Sequence, residues 1–442
     1  MPYLVHSPDD RAEMLAALGA DTMEPLLSDI PARLRLQKLD LADGLSEAET
    51  MAVLRRLATR NTAFEDRLTF RGGGVYRRFI PAAVPAVTSK SEFYSAYTPY
   101  QPEASQGWLQ AIFEFQTLIA ELTAMDAANA SLYDGATAVA EAAMMAVVHT
   151  GRLNVLIAGY LHPEYEEVLR GYAAGRRFRV SRLDAPGGIV DPQRLEAALD
   201  DSVAAIVFQQ PNFLGLVEDA QGLSAVAHHN GSLVVACVDP VSLAILSPPG
   251  EYGADIAVGE GQQLGLSPSF GGPHVGFMAC RTELVRRLPG RLVGQGHDHE
   301  GRRGFVLTLQ AREQHIRREK ATSNICTNHA LCALAATVYL GYMGPDGLRS
   351  IAETSLSRAH HLAGELARVP GFEPAFAGAP FLNEFPMHVP DAAALLARLG
   401  ARGILGGLPA GRWFKELDGV LLFSCTELND AAAISDLVEA CR

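Results

Sequence analysis

Apolar residues recur along the middle of the chain in two alternating patterns, which together predict a sheet flanked by helices. Stretches with helical spacing cover residues 111–123, 137–149, 163–173, 192–199 and 221–229. Short apolar runs, many of them β-branched, cover residues 153–158, 204–208, 233–238, 256–258 and 275–279. Short runs between helices of about ten residues are typical of a mostly parallel sheet that is buried on both faces. We therefore expect an α/β fold whose ligands lie beyond the carboxyl ends of the strands.

The two ends of the chain follow different patterns. Ser7, and the pair Ser46 and Glu49, have the spacing of helix caps in a polar N-terminal segment. Near the other end, a long helical stretch over 346–367 leads into short strands and helices, which predicts a smaller α+β domain. The predicted division is an N-terminal helical segment over 1–75, a large α/β domain over 76–335 and a C-terminal α+β domain over 336–442.

Composition narrows the possible partners and compartments. The net charge is −13 and no block of basic residues stands out, which argues against nucleic acid or an anionic membrane as a partner. Residues 1–19 lack a basic region followed by an apolar core, so we expect no secretory signal and a cytoplasmic protein. The six cysteines form no C-x-x-C pair, and His297 and His299 are interpreted as a chance surface pair. We therefore expect no metal site, no nucleic-acid partner and no membrane partner.

Two short segments place candidate chemistry at the predicted strand ends. Asp134-Gly135-Ala136-Thr137 opens a helix, and free backbone N–H groups at a helix N-terminus suit a phosphate. The alternative is an ordinary tight connection. Asp239 closes the apolar run 233–238, where an acid faces the ligand crevice. In a pyridoxal phosphate enzyme such an acid would protonate the ring nitrogen, and the alternative is a turn cap.

Longer motifs in this order resemble a known family. They are Tyr97 to Gly107 (YTPYQPEASQG), Tyr133 to Ala138 (YDGATA), Gln210 to Gly215 (QPNFLG) and Arg318 to Thr327 (REKATSNICT). Together with Asp239 and the glycine-rich loop 271–276, they resemble the fold type I pyridoxal phosphate enzymes. More narrowly, they are similar to the glycine decarboxylase P protein of the glycine cleavage system. The resemblance covers about residues 10–327 in order, and the C-terminal domain has less support.

One departure from the family pattern indicates the subtype. In the catalytic form of the family, a His-Lys pair precedes the glycine-rich loop, and its lysine binds the cofactor as a Schiff base. Gln262 and Gln263 stand at these two positions. A glutamine amide is not nucleophilic and cannot form an imine. Lys320, the nearest lysine in sequence, lies in a polar run rather than at the strand-to-loop corner. The chain therefore resembles subunit 1, the lysine-less half of P proteins that are split into two chains.

The resemblance implies an activity, partners and two groups of site residues. The activity is that of a glycine dehydrogenase (aminomethyl-transferring): glycine is decarboxylated and its aminomethyl group passes to the lipoyl arm of the H protein. A homologous lysine-bearing subunit 2 would hold pyridoxal phosphate covalently, and this chain alone would hold none and be inactive. We use "relic site" for the residues at the family's cofactor positions: Asp134, Gly135, Ala136, Thr137, His162, Asp239, Gln262 and Gln263. The residues expected to reach the partner's cofactor are Thr322, Ser323, Asn324, Tyr97 and Tyr100, with a buried polar turn as the alternative.

Three other interpretations stay open at this point. The first is a self-sufficient pyridoxal phosphate enzyme, which would need a Schiff-base lysine. The second is a pyridoxal phosphate enzyme that works without such a lysine. The third is a regulatory or scaffolding paralogue that binds the catalytic chain without entering its active site.

Overall fold

The structure of the chain is a computed structural model that describes residues 5–36, 40–94 and 97–442. The chain divides into two compact units, Met1–Thr62 and Ala63–Arg442. The domain boundaries predicted above at 75/76 and 335/336 stay predictions. Lys38, one of the four lysines, lies outside the described residues.

The described residues of the first unit form two α-helices, α1 (Pro8–Ala17) and α2 (Glu47–Ala58), and two short 3-10 helices (Glu24–Leu27 and Ala32–Leu34). Both predicted caps are confirmed: the hydroxyl oxygen of Ser7 accepts a hydrogen bond from the backbone N–H of Asp10, and that of Ser46 accepts one from Glu49. Neither helix contains a buried residue. Large apolar side chains are exposed throughout this unit, among them Met14, Leu18, Leu26, Leu27, Ile30, Leu34, Leu36, Leu41, Leu45, Met51, Leu54 and Leu57.

The second unit contains the remaining described elements. Its helices are α3 (Ala83–Thr88), α4 (Ser91–Tyr94), α5 (Gln106–Thr123), α6 (Gly135–Thr150), α7 (Pro163–Arg176), α8 (Pro192–Ala198), α9 (Ala220–Asn230), α10 (Gln314–Arg317), α11 (Ala330–Leu366), α12 (Ala392–Ala401) and α13 (Ala431–Cys441). Its strands are β1 (Leu68–Thr69), β2 (Ala127–Ala128), β3 (Asn154–Ala158), β4 (Arg179–Leu183), β5 (Val203–Gln210), β6 (Leu233–Val238), β7 (Ile256–Glu260), β8 (Gly276–Cys280), β9 (Leu292–His297), β10 (Arg303–Thr308), β11 (Glu373–Pro374), β12 (Glu384–His388), β13 (Ile404–Leu405), β14 (Leu408–Pro409) and β15 (Val420–Ser424).

A seven-stranded central sheet confirms the predicted mostly parallel architecture. Its strand order is β2-β8-β7-β6-β5-β3-β4. Strands β4, β3, β5, β6 and β7 are parallel, and β8 is antiparallel to both β7 and β2. The five apolar runs predicted from the sequence correspond to β3, β5, β6, β7 and β8. The carboxyl ends of five neighbouring parallel strands therefore meet at one edge of the sheet.

The core lies on both faces of this sheet. Alternate residues of β5 enter different clusters: Ile206 and Phe208 belong to one, and Ala205 and Val207 to the other. Helix α6 packs on the second face, and twelve of its sixteen residues are buried. A helix that is apolar on all sides fits this position, because only a fully covered helix hides every face from water.

The C-terminal part forms the predicted smaller α+β region. An antiparallel sheet of order β11-β12-β15-β14 packs with α12, α13 and the second half of α11 around a separate core cluster. Helix α11 is interrupted at Gly344, whose φ is +60°, and Pro345 follows. The sequence interpretation placed the second half of α11 correctly and missed the first half. It also missed edge strand β4 and the β9–β10 hairpin, in which polar residues and glycines leave apolar runs of three residues or fewer.

The described residues contain neither a candidate membrane span nor a candidate metal cluster. No described helix is long and apolar enough to cross a membrane. Within the described ranges, no group of three or more His, Cys, Asp and Glu side chains is placed to hold a metal ion.

Candidate functional site

Side chains from three neighbouring strand ends surround a small cavity. Gln209 is the second-last residue of β5, Asp239 follows β6, Glu260 is the last residue of β7, and Gln263 follows it. The space between them is about 40 Å³, which holds a few water molecules. Cavities that bind small cofactors span roughly 300 to 1,000 Å³. The predicted edge of the sheet is therefore a crevice that the chain's own side chains fill.

Gln263 lies between a carboxylate and a guanidinium group. Its amide nitrogen donates to Oδ2 of Asp239 at 2.8 Å, and its amide oxygen accepts from Nε of Arg78 at 2.6 Å. The guanidinium of Arg78 also donates to Ser355 and, at 2.7 Å, to Glu427. The oxygen and the nitrogen of the Gln263 amide therefore both make hydrogen bonds. The side chain at the family's lysine position is thus an uncharged link between Arg78 and Asp239.

Gln262 binds a backbone segment that crosses the relic site. Its amide oxygen accepts from the backbone N–H of Tyr76 and its amide nitrogen donates to the Tyr76 carbonyl, both at 3.0 Å. The Tyr76 hydroxyl in turn donates to Glu384 at 2.8 Å, and the Gly73 N–H donates to the same carboxylate at 2.7 Å. The segment 73–78 therefore covers the site and connects it to the C-terminal sheet.

The chain's own carboxylates cap the helix start that was predicted to suit a phosphate. Oε2 of Glu260 accepts from the N–H of Gly135 at 3.0 Å, and Oδ1 of Asp134 accepts from the N–H of Thr137 at 2.7 Å. Oε1 of Glu260 accepts from two further backbone N–H groups, those of Gln262 and Val275. A carboxylate that takes a helix N-terminal N–H fills the place that an anionic ligand would use.

His162 caps α7 and packs against aromatic rings. Its Nδ1 accepts from the N–H of Glu164, so Nε2 carries the proton and donates to the Gly73 carbonyl at 2.9 Å. Its ring stacks on Tyr165, with centroids 4.4 Å apart. Gly74 has φ +93°, and a Cβ there would lie 2.8 Å from the His162 ring, so this approach requires glycine. Burial lowers the pKa of His162, which keeps the ring neutral.

Burial also controls the ionisation of the acids at the site. It raises the pKa of Glu260 to about 7, against backbone hydrogen bonds from Gly135, Val275 and Gln262. It also raises the pKa of Glu384 to about 7, against hydrogen bonds from the Tyr76 hydroxyl and the Gly73 N–H. Burial and the nearby Glu384 carboxylate raise the pKa of Tyr76 well above its ordinary value. Within the described residues, Arg78 is the one cation that contacts Gln263. The charge of Arg78 is balanced by the Glu427 carboxylate, with which it forms a salt bridge. The site is therefore acidic and does not favour a phosphate.

The residues expected to reach a partner lie outside this cavity. Tyr97 and Tyr100 are 72% and 74% exposed, and their rings stack with centroids 6.3 Å apart. Thr322 is half-buried and Asn324 is exposed, and their side chains make no hydrogen bond within the described ranges. Ser323 is buried, and its hydroxyl accepts a hydrogen bond from the Ile325 N–H at 3.0 Å. The structure thus presents Thr322 and Asn324 and turns Ser323 inward.

Comparisons with known proteins identify the family. The family model for the glycine cleavage system P-protein matches residues 1–441. The chain belongs to the glycine cleavage system P-protein family. A protein of Carboxydothermus hydrogenoformans named probable glycine dehydrogenase (decarboxylating) subunit 1 is 50% identical, with 99% of each chain covered. A protein of Moorella thermoacetica with the same name is 49% identical and covers 100% of this chain and 99% of its own. A crystal structure of glycine decarboxylase (P-protein) in an inhibitor-bound form is 46% identical with a TM-score of 0.90, covering 100% of this chain and 99% of the other.

The fold type I class predicted for this family member is confirmed. A NifS-like protein superposes with a TM-score of 0.63 at 11% identity over 85% of this chain, a likeness that shows the fold alone. Pyridoxal phosphate does not fit the relic site of this chain. Gln263 offers no amine, and its amide already binds Asp239. The N–H of Gly135 donates to Glu260, and the remaining space has the volume of a few water molecules. Lys90, Lys320 and Lys415 are exposed, and no described lysine lines the cavity.

The sequence interpretation missed the residues that close the relic site. Arg78, Tyr76 and Glu384 come from segments far from Gln263 in sequence, and nothing in their local pattern indicates this contact. Glu260 stood within the family-like segment, three residues before Gln263, and an acid on the buried strand that enters the site was a signal for it. Of the relic-site residues, Asp239 and Gln263 line one cavity, and Gly135 donates to Glu260, which lines the same cavity.

Proposed function

We propose that this chain is the lysine-less subunit of a two-chain glycine decarboxylase. A homologous lysine-bearing subunit holds pyridoxal phosphate covalently, and the pair decarboxylates glycine and passes the aminomethyl group to the lipoyl arm of the H protein. The names of the full-length relatives as subunit 1 support a second subunit. Pyridoxal phosphate, when the partner binds it, supplies the electron sink for loss of carbon dioxide.

The observation that carries this proposal is the environment of Gln263. A chain that had simply lost its lysine would leave an open crevice with an unpaired Asp239. Instead, Arg78, Gln263 and Asp239 form a continuous set of hydrogen bonds, with heavy-atom distances of 2.6 and 2.8 Å. Because buried polar groups are costly when they are unpaired, this arrangement stabilises the chain as a permanently cofactor-free subunit.

Exposed surface supports association with a second chain. The first unit presents many large apolar side chains, including Met14, Leu18, Leu54 and Leu57. The second unit presents the stacked Tyr97–Tyr100 pair. Contiguous exposed apolar surface marks interaction sites, and tyrosine is enriched in protein interfaces. We infer an obligate interface, which buries on the order of 2,000 Å² or more.

The part of this chain in catalysis is to complete the partner's site. Within the part of the chain that the structure describes, the hydroxyl of Thr322 and the amide of Asn324 have no hydrogen-bond partner, and two hydrogen bonds hold the backbone that carries them. Arg176 donates to the carbonyl of Thr322, and the Ile325 N–H donates to the Ser323 hydroxyl. Neutral donors presented in this way suit a phosphate group, because they bind its oxygens without requiring a buried cation.

Reconstitution tests the proposal. Each chain is purified alone and mixed with its lysine-bearing homologue, pyridoxal phosphate and lipoylated H protein, and the release of carbon dioxide from carboxyl-labelled glycine is measured. Light scattering of the same samples reports assembly. We expect each chain alone to be inactive and the mixture to be active as a hetero-oligomer. Full activity of the lysine-bearing chain alone, with no complex at micromolar concentration, would contradict the proposal.

A further inference from the structure

One buried acid in the large unit has no cation paired with it. Glu141 is the only acid in the apolar helix α6, and it is 3% exposed. No ion pair reaches its carboxyl group within the described residues. Burial raises the pKa of Glu141 to about 7, against smaller opposing effects of the Ser323 hydroxyl and the Arg176 charge. A buried carboxyl group without a compensating charge is costly, so Glu141 indicates a role other than packing.

Glu141 lines a cavity that is large enough for a small ligand. The cavity lies between α6, α7 and the segment 322–325, and its volume is about 440 Å³. Sites for small molecules span roughly 300 to 1,000 Å³. The cavity shares no lining residue with the small cavity of the relic site. It is therefore a separate candidate site of this chain.

The polar groups of this cavity differ in charge and in depth. Glu141 is buried, whereas Arg176 and Asn324, which also line the cavity, are exposed. Nη2 of Arg176 donates to the Thr322 carbonyl at 3.4 Å, which holds the guanidinium group beside the segment. The cavity thus offers an anionic acceptor at depth and two donors at its mouth. A ligand with a cationic group at one end and a carboxylate at the other end matches this order.

The walls of the cavity are aromatic and aliphatic. Tyr133 and Tyr172 line it, and the face of an aromatic ring attracts a cation. Met144 and Ile325 also line it, each 4% exposed, and they offer apolar surface. A ligand that carries only charged groups would leave this surface uncovered. The walls therefore favour a ligand with an apolar substituent between its two charged groups.

We propose that this cavity binds an α-amino acid with an apolar side chain. The ammonium group pairs with Glu141, the carboxylate binds Arg176 and Asn324, and the side chain packs on Met144 and Ile325. The ligand supplies the positive charge that the buried carboxylate lacks. This inference does not rest on the proposed function, because every residue of the site belongs to this chain.

Isothermal titration of the purified full-length chain with L-leucine tests the inference. We expect saturable binding of one leucine per chain. Isoamylamine lacks the carboxylate of leucine, isocaproate lacks its ammonium group, and glycine lacks its side chain. Each of these three probes should bind at least roughly tenfold more weakly, the effect of losing one charged hydrogen bond or one buried side chain.

Two variants assign the ends of the ligand to the two charged residues. Glu141→Gln keeps the shape of the side chain and removes its charge, so it should weaken leucine binding roughly ten- to a hundredfold. It should leave isocaproate binding unchanged, because isocaproate has no ammonium group. Arg176→Gln should weaken leucine binding and leave isoamylamine binding unchanged. A purely structural role of either residue would not produce this selectivity.

Glu218→Gln and Arg177→Gln are the matched controls. Glu218 is also buried, at 4% exposed, and its pKa is also raised to about 7 by burial, but it binds Val190 and Asn212. Arg177 follows Arg176 directly in sequence and does not line the cavity. Both controls should bind leucine as the wild type does, and melting temperatures measured in parallel show that each variant is folded.

Three results would overturn the inference. The first is no leucine binding by the folded wild-type chain at millimolar concentration. The second is equal leucine binding by the wild type and by Glu141→Gln. The third is loss of leucine binding when the lysine-bearing homologue is added, because the cavity would then belong to the interface between the chains. None of these results bears on the reconstitution of glycine decarboxylation, so the two proposals fail separately.

Discussion

Replacing Gln263 by lysine should not create a cofactor site, and the structure gives the reason. The new ammonium group would lie between Asp239, which accepts from Gln263 at 2.8 Å, and the Arg78 Nε, which donates to it at 2.6 Å. Arg78 is 7% exposed and is bound to Glu427 and Ser355, so it cannot turn away into solvent. The cavity beside Gln263 is about 40 Å³ and leaves no room for a pyridoxal ring.

The expected cost of this substitution follows from the charge that it adds and the hydrogen bond that it removes. Two unit charges about 4 Å apart interact by about 4 kcal/mol at the effective dielectric constant of a protein. Repulsion from Arg78 and attraction to Asp239 therefore cancel to first order. What remains is the missing hydrogen bond from Arg78, so Gln263→Lys should lower the free energy of unfolding by about 1.5 to 3 kcal/mol. Gln263→Met removes both hydrogen bonds without adding a charge, and it should cost more than Gln263→Lys.

Urea unfolding of the three proteins, with visible absorbance after addition of pyridoxal phosphate, checks this account. The predicted order of stability is wild type, then Gln263→Lys, then Gln263→Met, and no variant should show the absorbance of a lysine–cofactor imine. A Gln263→Lys chain that is more stable than the wild type, or that binds pyridoxal phosphate covalently by itself, would refute the description of a closed relic site.

Three further predictions follow from other parts of the structure. Thr322→Val should weaken cofactor affinity of the two-chain complex roughly ten- to a hundredfold without changing assembly, as titration and light scattering would show. Glu260→Ala frees the N–H of Gly135, so the variant should melt earlier than wild type, and inorganic phosphate should stabilise it more than chloride at equal ionic strength. If phosphate stabilises the variant no more than chloride does, the Glu260 carboxylate does not occupy an anion-binding position at the start of α6. Burial raises the pKa of Glu141 and Glu384 from 4.5 to about 7, so each should cost roughly 3 kcal/mol of stability as pH rises through that range. Glu141→Gln should therefore flatten the fall in melting temperature between about pH 5 and about pH 8, and an unchanged slope would contradict the assignment.

The central sheet could be predicted from the sequence because each of its main strands is marked by an apolar run within the strand itself. Each apolar run of β3, β5, β6, β7 and β8 is short, is flanked by helices, and is buried on both faces. Strand β4, in contrast, lies at the sheet edge, mixes arginine and serine with two apolar residues, and contains no buried residue. Its pattern resembles a loop, and its pairing with β3 depends on residues elsewhere in the chain. The β9–β10 hairpin was missed for the same reason.

The candidate site could be predicted only in part. Positions at strand ends, such as Asp239 and Gln263, follow from the order of elements, because parallel strands present their carboxyl ends at one edge. Closure of the site could not be predicted, since Arg78 lies 185 residues from Gln263 in sequence and its contact depends on the tertiary fold. Burial of Ser323 could not be predicted either, because a Thr-Ser-Asn run does not indicate which side chain is buried.

The most direct test of the central claim is the location of covalently bound cofactor in the assembled complex. The two chains are mixed with pyridoxal phosphate and reduced with borohydride, and the labelled peptide is then identified by mass spectrometry. We predict stoichiometric label on one lysine of the partner chain and none on this chain, either in the complex or alone. Stoichiometric label on Lys38, Lys90, Lys320 or Lys415, together with glycine decarboxylation by this chain without a partner, would contradict the account.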